Sequence, residues 1–228
     1  RLGPSIALGV TAQSIVLLAG IPFGILAAVR RGTWVDAAVT SCSLAFLAIP
    51  AFFLGLLLLR FLSLGGLRLF PSAGFATPGS SLTGPARLLD AARHLILPAT
   101  ALGVTGIAGL MSHVRSAMLE VLRQDYLRTA RAKGMPERMV IYRHALRNAL
   151  MPVITLLGLN LPALLGGAII TESLFQWPGV GRLTYTALLE RDYPVLMALN
   201  LLFAALTLLG SLLADVGYAA VDPRVRYE

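Results

Sequence analysis

Five long stretches of this sequence carry no Asp, Glu, Lys or Arg, and each is long enough to cross a bilayer as a helix. A spanning helix needs about 20 mostly apolar residues. The stretches run from Leu2 to Val29, Ala37 to Leu59, His94 to Val114, Asn148 to Thr171, and Tyr193 to Ala214. Charged residues make up 13% of the chain, well below the roughly 25% of a soluble domain. The sequence therefore predicts an all-α, polytopic membrane protein, a helical bundle with about five transmembrane helices.

Details inside and between these stretches are also predicted. Residues 87–93 and Leu183–Arg191 are expected to form short helices outside the spans. Pro98 and Pro152 are expected in first turns, where proline is tolerated. Small residues at Gly103, Gly106 and Gly109 would let neighbouring helices approach closely; the alternative is that some of them line a pathway shared with a partner.

The distribution of Lys and Arg predicts which loops face the cytoplasm. Loops 30–36, 115–147 and 215–228 hold twelve of these residues, whereas loops 60–93 and 172–192 together with Arg1 hold seven. Cytoplasmic loops carry the excess of Lys and Arg. The first set is therefore expected inside, with the C-terminus cytoplasmic, and Trp177 and Tyr193 are expected in the outer aromatic belt. The +8 net charge is explained by topology rather than by nucleic acid.

The long polar segment at residues 115–152, called the elbow below, is predicted to be two helices joined by a tight turn. Leu119, Leu122, Tyr126 and Ala130 follow the helical i, i+3, i+4 spacing and form an apolar stripe. Gly134 can adopt positive φ at a helix end. Pro136 suits the first turn of the next helix. A solvated charged hairpin is the alternative interpretation.

The elbow carries a resemblance to a known family. RTARAKG at 128–134, followed by RHALRNALMP at 143–152, resembles the cytoplasmic EAA loop of ATP-binding-cassette importer permeases. Arg128, Thr129 and Ala130 occupy the first three places of that motif and Gly134 the fourth. Arginine and threonine replace its first two letters, as is usual in the dipeptide, oligopeptide and nickel branch (DppB/OppB-like). Met151-Pro152 stands for the closing Leu-Pro.

The resemblance covers essentially all 228 residues. It includes FPSAGF at 70–75, ESLFQWPGVGR at 172–182 and DPRVRY at 222–227. It implies one permease transmembrane domain over 1–228, with the elbow as its coupling loop. It also implies that the family's first membrane helix and the extracytoplasmic segment after it lie outside this sequence.

The resemblance further implies partners and site residues. Such permeases pair with a second, homologous permease, two ATP-binding cassette ATPase subunits and an extracytoplasmic substrate-binding protein, in the lipid of a bacterial or archaeal cytoplasmic membrane. ATP and Mg²⁺ would be held by the ATPase subunits, and this chain would bind no cofactor, metal or nucleic acid. The residues expected to couple the chain to the ATPase are Tyr126, Arg128, Thr129, Ala130, Lys133 and Gly134. Those expected to contact the binding protein or form an outer gate are Trp177, Gly179 and Gly181.

Other functions find less support in the residues. No P-loop is present, so ATP hydrolysis is expected on another polypeptide. The five stretches hold no charged residue of the kind that marks a proton or ion path, which disfavours an ATP-independent carrier or channel. No nucleophile elbow or His-rich metal motif supports an intramembrane enzyme. Peptides are the favoured substrate, with nickel or glutathione as the alternative within the same branch.

Overall fold

The computed structural model describes residues 1–151, 153 and 168–221, with side chains through 212, and the regular elements in these ranges are all helical. They are α1 (Leu2–Val29), α2 (Trp34–Ala48), α3 (Ala51–Leu58) with a π-helical continuation (Leu59–Leu64), α4 (Pro85–Val121), α5 (Asp125–Ala132), α6 (Glu137–Met139) with a π-helical continuation (Val140–Ala145), α7 (Leu146–Ala149), α8 (Ile169–Leu174), α9 (Val180–Glu190) and α10 (Tyr193–Val221). The predicted all-α class is confirmed.

Three helices among the described residues are long and apolar enough to cross a membrane: α1, α4 and the Tyr193–Leu212 part of α10. A fourth span results if α2 and the helix after it count as one bent pair. The stretch from Asn148 to Thr171 lies mostly outside the described residues, and Pro152 with it. The protein is therefore a polytopic membrane protein, and the number five stays a prediction.

The second charge-free stretch does not form the single helix that was predicted. It is broken between Ala48 and Ala51, and Pro50 lies in extended geometry with φ −60° and ψ 138°. The residue before a proline is sterically disfavoured in α geometry. The Ile49-Pro50 step therefore ends α2 and begins α3.

The third stretch is longer than predicted. Helix α4 begins at Pro85, so residues 87–93 are its first turns rather than a separate helix, and Pro98 lies in its interior rather than in a first turn. Proline at the first helical position loses no hydrogen bond. An interior proline is tolerated in membrane helices when neighbouring groups satisfy the freed carbonyl.

The chain divides into two compact units. The first contains Arg1–Ile15, Ile49–Thr105 and Leu161–Gly210, and the second contains Val16–Ala48, Gly106–Asn160 and Ser211–Glu228. Two small buried clusters form the first core, one around Phe175 with Leu97 and one around Trp177 with Leu8. The second unit has a larger buried cluster, to which α5 and the segment after it contribute Leu127, Ala130, Val140, Ile141, Ala145 and Ala149.

Small residues of α4 permit close helix contact within each unit. A Cβ at Gly103 would lie 2.9 Å from the Ile15 side chain in the first unit, and a Cβ at Gly106 would lie 2.8 Å from Val16 in the second. Among the residues that the structure describes, Gly109 has no such neighbour within 4 Å. The predicted role of small residues in packing is therefore confirmed at two of the three positions.

Candidate functional site

Helix α5 of the elbow has one buried face and one exposed face. Leu127 is 0% exposed and Ala130 is 8% exposed, and both lie in the core of the second unit. Arg128, Thr129 and Lys133 are exposed. The polar face of α5 is therefore presented outward, while its apolar face fixes the helix to its own chain.

This arrangement corrects two expectations. The apolar stripe from Leu119 to Ala130 is not on one helix, because α4 ends at Val121 and α5 begins at Asp125. Ala130 is among the residues expected to couple the chain to the ATPase, but it packs inside this chain, so its side chain contributes little to the exposed face of α5. Tyr126, which is 42% exposed, is the member of the stripe that stays on the surface.

The turn after α5 has the hydrogen bonds of a Schellman motif. The Gly134 N–H donates to the Arg131 carbonyl at 2.9 Å, and the Met135 N–H donates to the Ala130 carbonyl at 3.3 Å. Gly134 has φ +77°, which confirms the left-handed conformation that this motif requires. Pro136 then begins the next helical segment with φ −63° and ψ 139°.

Two side-chain contacts bridge this turn. Arg131 donates to both carboxylate oxygens of Glu137, Nη2 to Oε1 at 2.8 Å and Nε to Oε2 at 3.1 Å. This pairing holds the pKa of Glu137 below its ordinary value and raises the pKa of Arg131. The Asn148 amide donates to the Tyr126 hydroxyl at 2.6 Å. Helix α5 is thus tied to both α6 and α7.

The elbow contains eight Lys and Arg residues, and the first of them belongs to a membrane-spanning helix. Arg115 lies within α4 and donates to Asp36 of α2, Nε to Oδ1 at 2.8 Å and Nη2 to Oδ2 at 2.9 Å. Asp36 also accepts the Gly32 N–H at 3.0 Å. This pair fixes the turn between α1 and α2 to α4, which sequence reasoning missed.

The segment Glu172–Arg182, called the Trp-Pro-Gly turn below, is packed inside the first unit. Trp177 is 1% exposed, its ring lies 5.1 Å from that of Phe75, and its Nε1 donates to the Pro4 carbonyl at 2.8 Å. The expectation that Trp177 belongs to an aromatic belt is therefore wrong, whereas Tyr193 is 65% exposed. Trp177 supports the turn from within and does not offer a surface to another protein.

Gly179 and Gly181 surround a buried carboxyl group. A Cβ at Gly179 would overlap Glu172 Oε2 and Ser5 Oγ, and a Cβ at Gly181 would lie 2.8 Å from the Ile169 backbone nitrogen. Glu172 itself is 0% exposed. The two glycines are therefore needed for close approach inside the chain, and any outer contact must be made by their exposed neighbours.

Glu172 and Asp36 are two charged residues whose buried hydrogen-bonding roles sequence reasoning missed. Each is adjacent to the end of a charge-free stretch, Glu172 after Thr171 and Asp36 before Ala37, and therefore falls within a predicted loop. This adjacency is the sequence signal that could have found them, because a charged residue next to the end of an apolar stretch can be part of the same helix. Their partners are distant in sequence and follow no local spacing.

Comparison with known proteins identifies the family. The model of the family described as "Binding-protein-dependent transport system inner membrane component" matches residues 20–227. The chain is 44% identical to the oligopeptide transport system permease protein AppB of Bacillus subtilis (strain 168), over all of this chain and 70% of that protein. It is 41% identical to the dipeptide transport system permease protein DppB of Escherichia coli (strain K12), over all of this chain and 72% of that protein.

A further relative supports this family, and a solved structure has the same fold. The glutathione transport system permease protein GsiC of Escherichia coli O1:K1 / APEC is 39% identical over all of this chain and 70% of its own length. An inward-facing structure of the MetNI methionine ABC transporter matches the fold with a TM-score of 0.72 at 18% identity, over 97% of this chain and 94% of that one. The chain thus belongs to the inner membrane components of binding-protein-dependent transport systems, and is a transport permease rather than an enzyme.

Proposed function

We propose that this permease forms half of a membrane pathway for peptides and that its elbow connects the pathway to a separate ATPase. The observation that carries the proposal is the two-sided geometry of α5. Its buried face belongs to the core of the second unit, and its outward face presents Arg128, Thr129 and Lys133. A helix fixed in this way transmits a push on its exposed face to the core behind it, because packed cores move as bodies rather than deform continuously.

The proposed partners are a second homologous permease, two ATP-binding cassette ATPase subunits that hold ATP and Mg²⁺, and an extracytoplasmic substrate-binding protein. The permease names of the relatives support this assembly. Tyr126, Arg128, Thr129, Lys133 and Gly134 are proposed to form or shape the ATPase contact. Ala130 is proposed to act indirectly, because its side chain packs in the core of the second unit and so fixes the position of α5.

The proposed orientation places the elbow and the C-terminus in the cytoplasm of a bacterial or archaeal cell. The asymmetry of Lys and Arg supports it. Residues 60–93 and 172–192 would face outside, where the exposed part of the 172–192 loop would meet the binding protein or the second permease. A Glu137→Cys variant should resist an impermeant maleimide added to intact cells, while Gly79→Cys should react. Equal labelling of the two positions would contradict this orientation.

Peptides are the proposed cargo because the oligopeptide and dipeptide permeases are 44% and 41% identical to this chain. Glutathione, itself a short peptide, is the second candidate because of the 39% identical relative. The test is uptake by proteoliposomes that contain the complete complex and its binding protein. Labelled di-, tri- and oligopeptides should be taken up only with ATP inside. Uptake without ATP, or no ATPase subunit copurifying with the permease, would contradict the proposal.

A further inference from the structure

The first turn of α9 is capped by side chains that are distant in sequence. The first N–H groups of a helix have no partner within the helix. The residue before α9 is Gly179, which has no side chain to accept them. Instead the Val180 N–H donates to Ser5 Oγ at 2.7 Å, and the Arg182 N–H donates to Glu172 Oε2 at 2.9 Å. Ser5 and Glu172 therefore do together what a capping residue normally does alone.

These bonds belong to a closed network that joins three segments. Ser5 Oγ donates to Glu172 Oε1 at 2.7 Å, so each carboxyl oxygen of Glu172 accepts one bond. The Trp177 N–H donates to the Glu172 carbonyl, and Trp177 Nε1 donates to the Pro4 carbonyl, both at 2.8 Å. Ser5 and Trp177 are each 1% exposed. The first turn of α1, the Trp-Pro-Gly turn and the start of α9 thus share one buried set of hydrogen bonds.

A buried carboxyl group is a costly way to fill space, because an apolar side chain of similar size needs no hydrogen-bond partners. What Glu172 adds is direction, since its two oxygens fix Ser5 on α1 and Arg182 on α9 at once. Gly179 and Gly181 are the residues that leave room for this. The Glu172 carboxyl group and the two glycines therefore fix the orientation of α1 and α9 rather than add apolar packing.

We propose that Glu172 is a positioning residue: with Ser5 it fastens the first turn of α1 to the Trp-Pro-Gly turn and α9, so that these segments move as one body during transport. The second half of this statement rests on the proposed function. The first half does not, and it is tested separately.

The first experiment measures the cap itself in the complete complex in lipid nanodiscs. Val180 is 2% exposed, so a Val180→Cys variant, made with Cys42→Ser, should react slowly with a maleimide. Adding Glu172→Ala should raise the labelling rate about tenfold, because the cap no longer holds the turn closed. Ser5→Ala should do the same, and Glu172→Gln, which keeps one acceptor oxygen, should lie between. The matched control is Glu190→Gln, which changes an exposed glutamate of α9, the helix that carries Val180. Unchanged labelling in Glu172→Ala would overturn the cap.

The second experiment asks whether the fastened segments must separate during transport. A Cβ at Gly179 would overlap Ser5 Oγ, which brings the two Cβ positions within reach of a disulfide. In the Glu172→Ala background, peptide uptake should be lost, and the pair Ser5→Cys and Gly179→Cys should restore it when oxidised and lose it again on reduction. A disulfide that forms while uptake stays absent would show that the segments have to part, and would overturn the proposal. Absence of peptide uptake by the unaltered complex would count against the proposed function, while the labelling result still decides the cap.

Discussion

Gly134 in the elbow and Gly179 in the Trp-Pro-Gly turn both lie between helices, but their surroundings differ. Gly134 has φ +77°, and a Cβ added there would meet no atom of the described part of the chain within 4 Å. Gly179 has φ −90° and ψ −172°, a conformation open to any residue, yet a Cβ there would overlap Glu172 and Ser5. One glycine is required by its backbone and the other by its neighbours.

The difference extends to how each region is held. The elbow is fixed by an apolar face in a large core, and its bridging ion pair between Arg131 and Glu137 is exposed. The Trp-Pro-Gly turn is fixed by buried hydrogen bonds around Glu172. Losing an exposed pair costs little, whereas a buried polar group left without a partner costs about 1–3 kcal/mol. The Trp-Pro-Gly turn should therefore be the less tolerant region.

The largest effect is expected from Gly179→Ala. The added methyl group must displace Glu172 or Ser5, which combines overpacking of about 1–3 kcal/mol with the loss of buried hydrogen bonds. The thermal unfolding temperature of the complex in detergent should fall clearly. Gly3→Ala, on α1 in the same unit, would place a Cβ with no described residue within 4 Å, and should not lower the unfolding temperature. If the Gly179→Ala complex were as stable as the Gly3→Ala complex, Gly179 would not be required by the close approach of Glu172 and Ser5.

The next effect is expected from Ala130→Trp. Ala130 is 8% exposed and lies in the core cluster, so the indole must push α5 outward, at about 1–3 kcal/mol for overpacking. The permease without its ATPase should unfold at a lower temperature, and peptide-stimulated ATP hydrolysis should be lost in the complex. Ala132→Trp, on the exposed face of the same helix, should keep the stability of the permease. If Ala130→Trp weakened only ATPase binding, Ala130 would be a surface contact after all.

The two regions also differ in how far the sequence predicts them. The helix–turn–helix of the elbow and the positive φ of Gly134 follow from local signals: spacing of apolar residues, a glycine and a proline two positions later. Pro50 is also a local signal for the break between α2 and α3. The predicted span from Ala37 to Leu59 rests instead on the length of the apolar stretch, which continues across this proline. The cap formed by Ser5 and Glu172 joins positions 167 residues apart, so no local pattern points to it. Burial of Trp177 was missed for the same reason, because its partners Pro4 and Phe75 are distant in sequence.

A smaller effect is expected from substitution of Gly134. A β-branched side chain in the left-handed region costs roughly 1–2 kcal/mol, so Gly134→Val should tilt α5 without any steric overlap. The permease should remain inserted in the membrane and associated with the second permease, and peptide-stimulated ATP hydrolysis in proteoliposomes should fall. Gly134→Asn is the control, since asparagine tolerates this conformation, and it should keep most of the stimulation. Equal loss in both variants would mean that the turn needs free space and not positive φ.

The smallest effect is the pH dependence of the ion pair across the elbow. Arg131 lowers the pKa of Glu137 from its ordinary value of 4.5, so the pair stabilises the folded state above that pH and its contribution is lost as the pH falls through the lower folded-state pKa. Because Glu137 is 56% exposed as a side chain, the contribution should be only about 0.2–1 kcal/mol. Glu137→Gln should lower the unfolding temperature slightly at pH 7, and the difference from the unaltered permease should shrink as the pH falls below 4.5. In an Arg131→Gln background the same substitution should have no effect at either pH. A difference that persisted in that background, or that stayed constant at acid pH, would show that the elbow keeps its angle through the Gly134 turn and its apolar face alone.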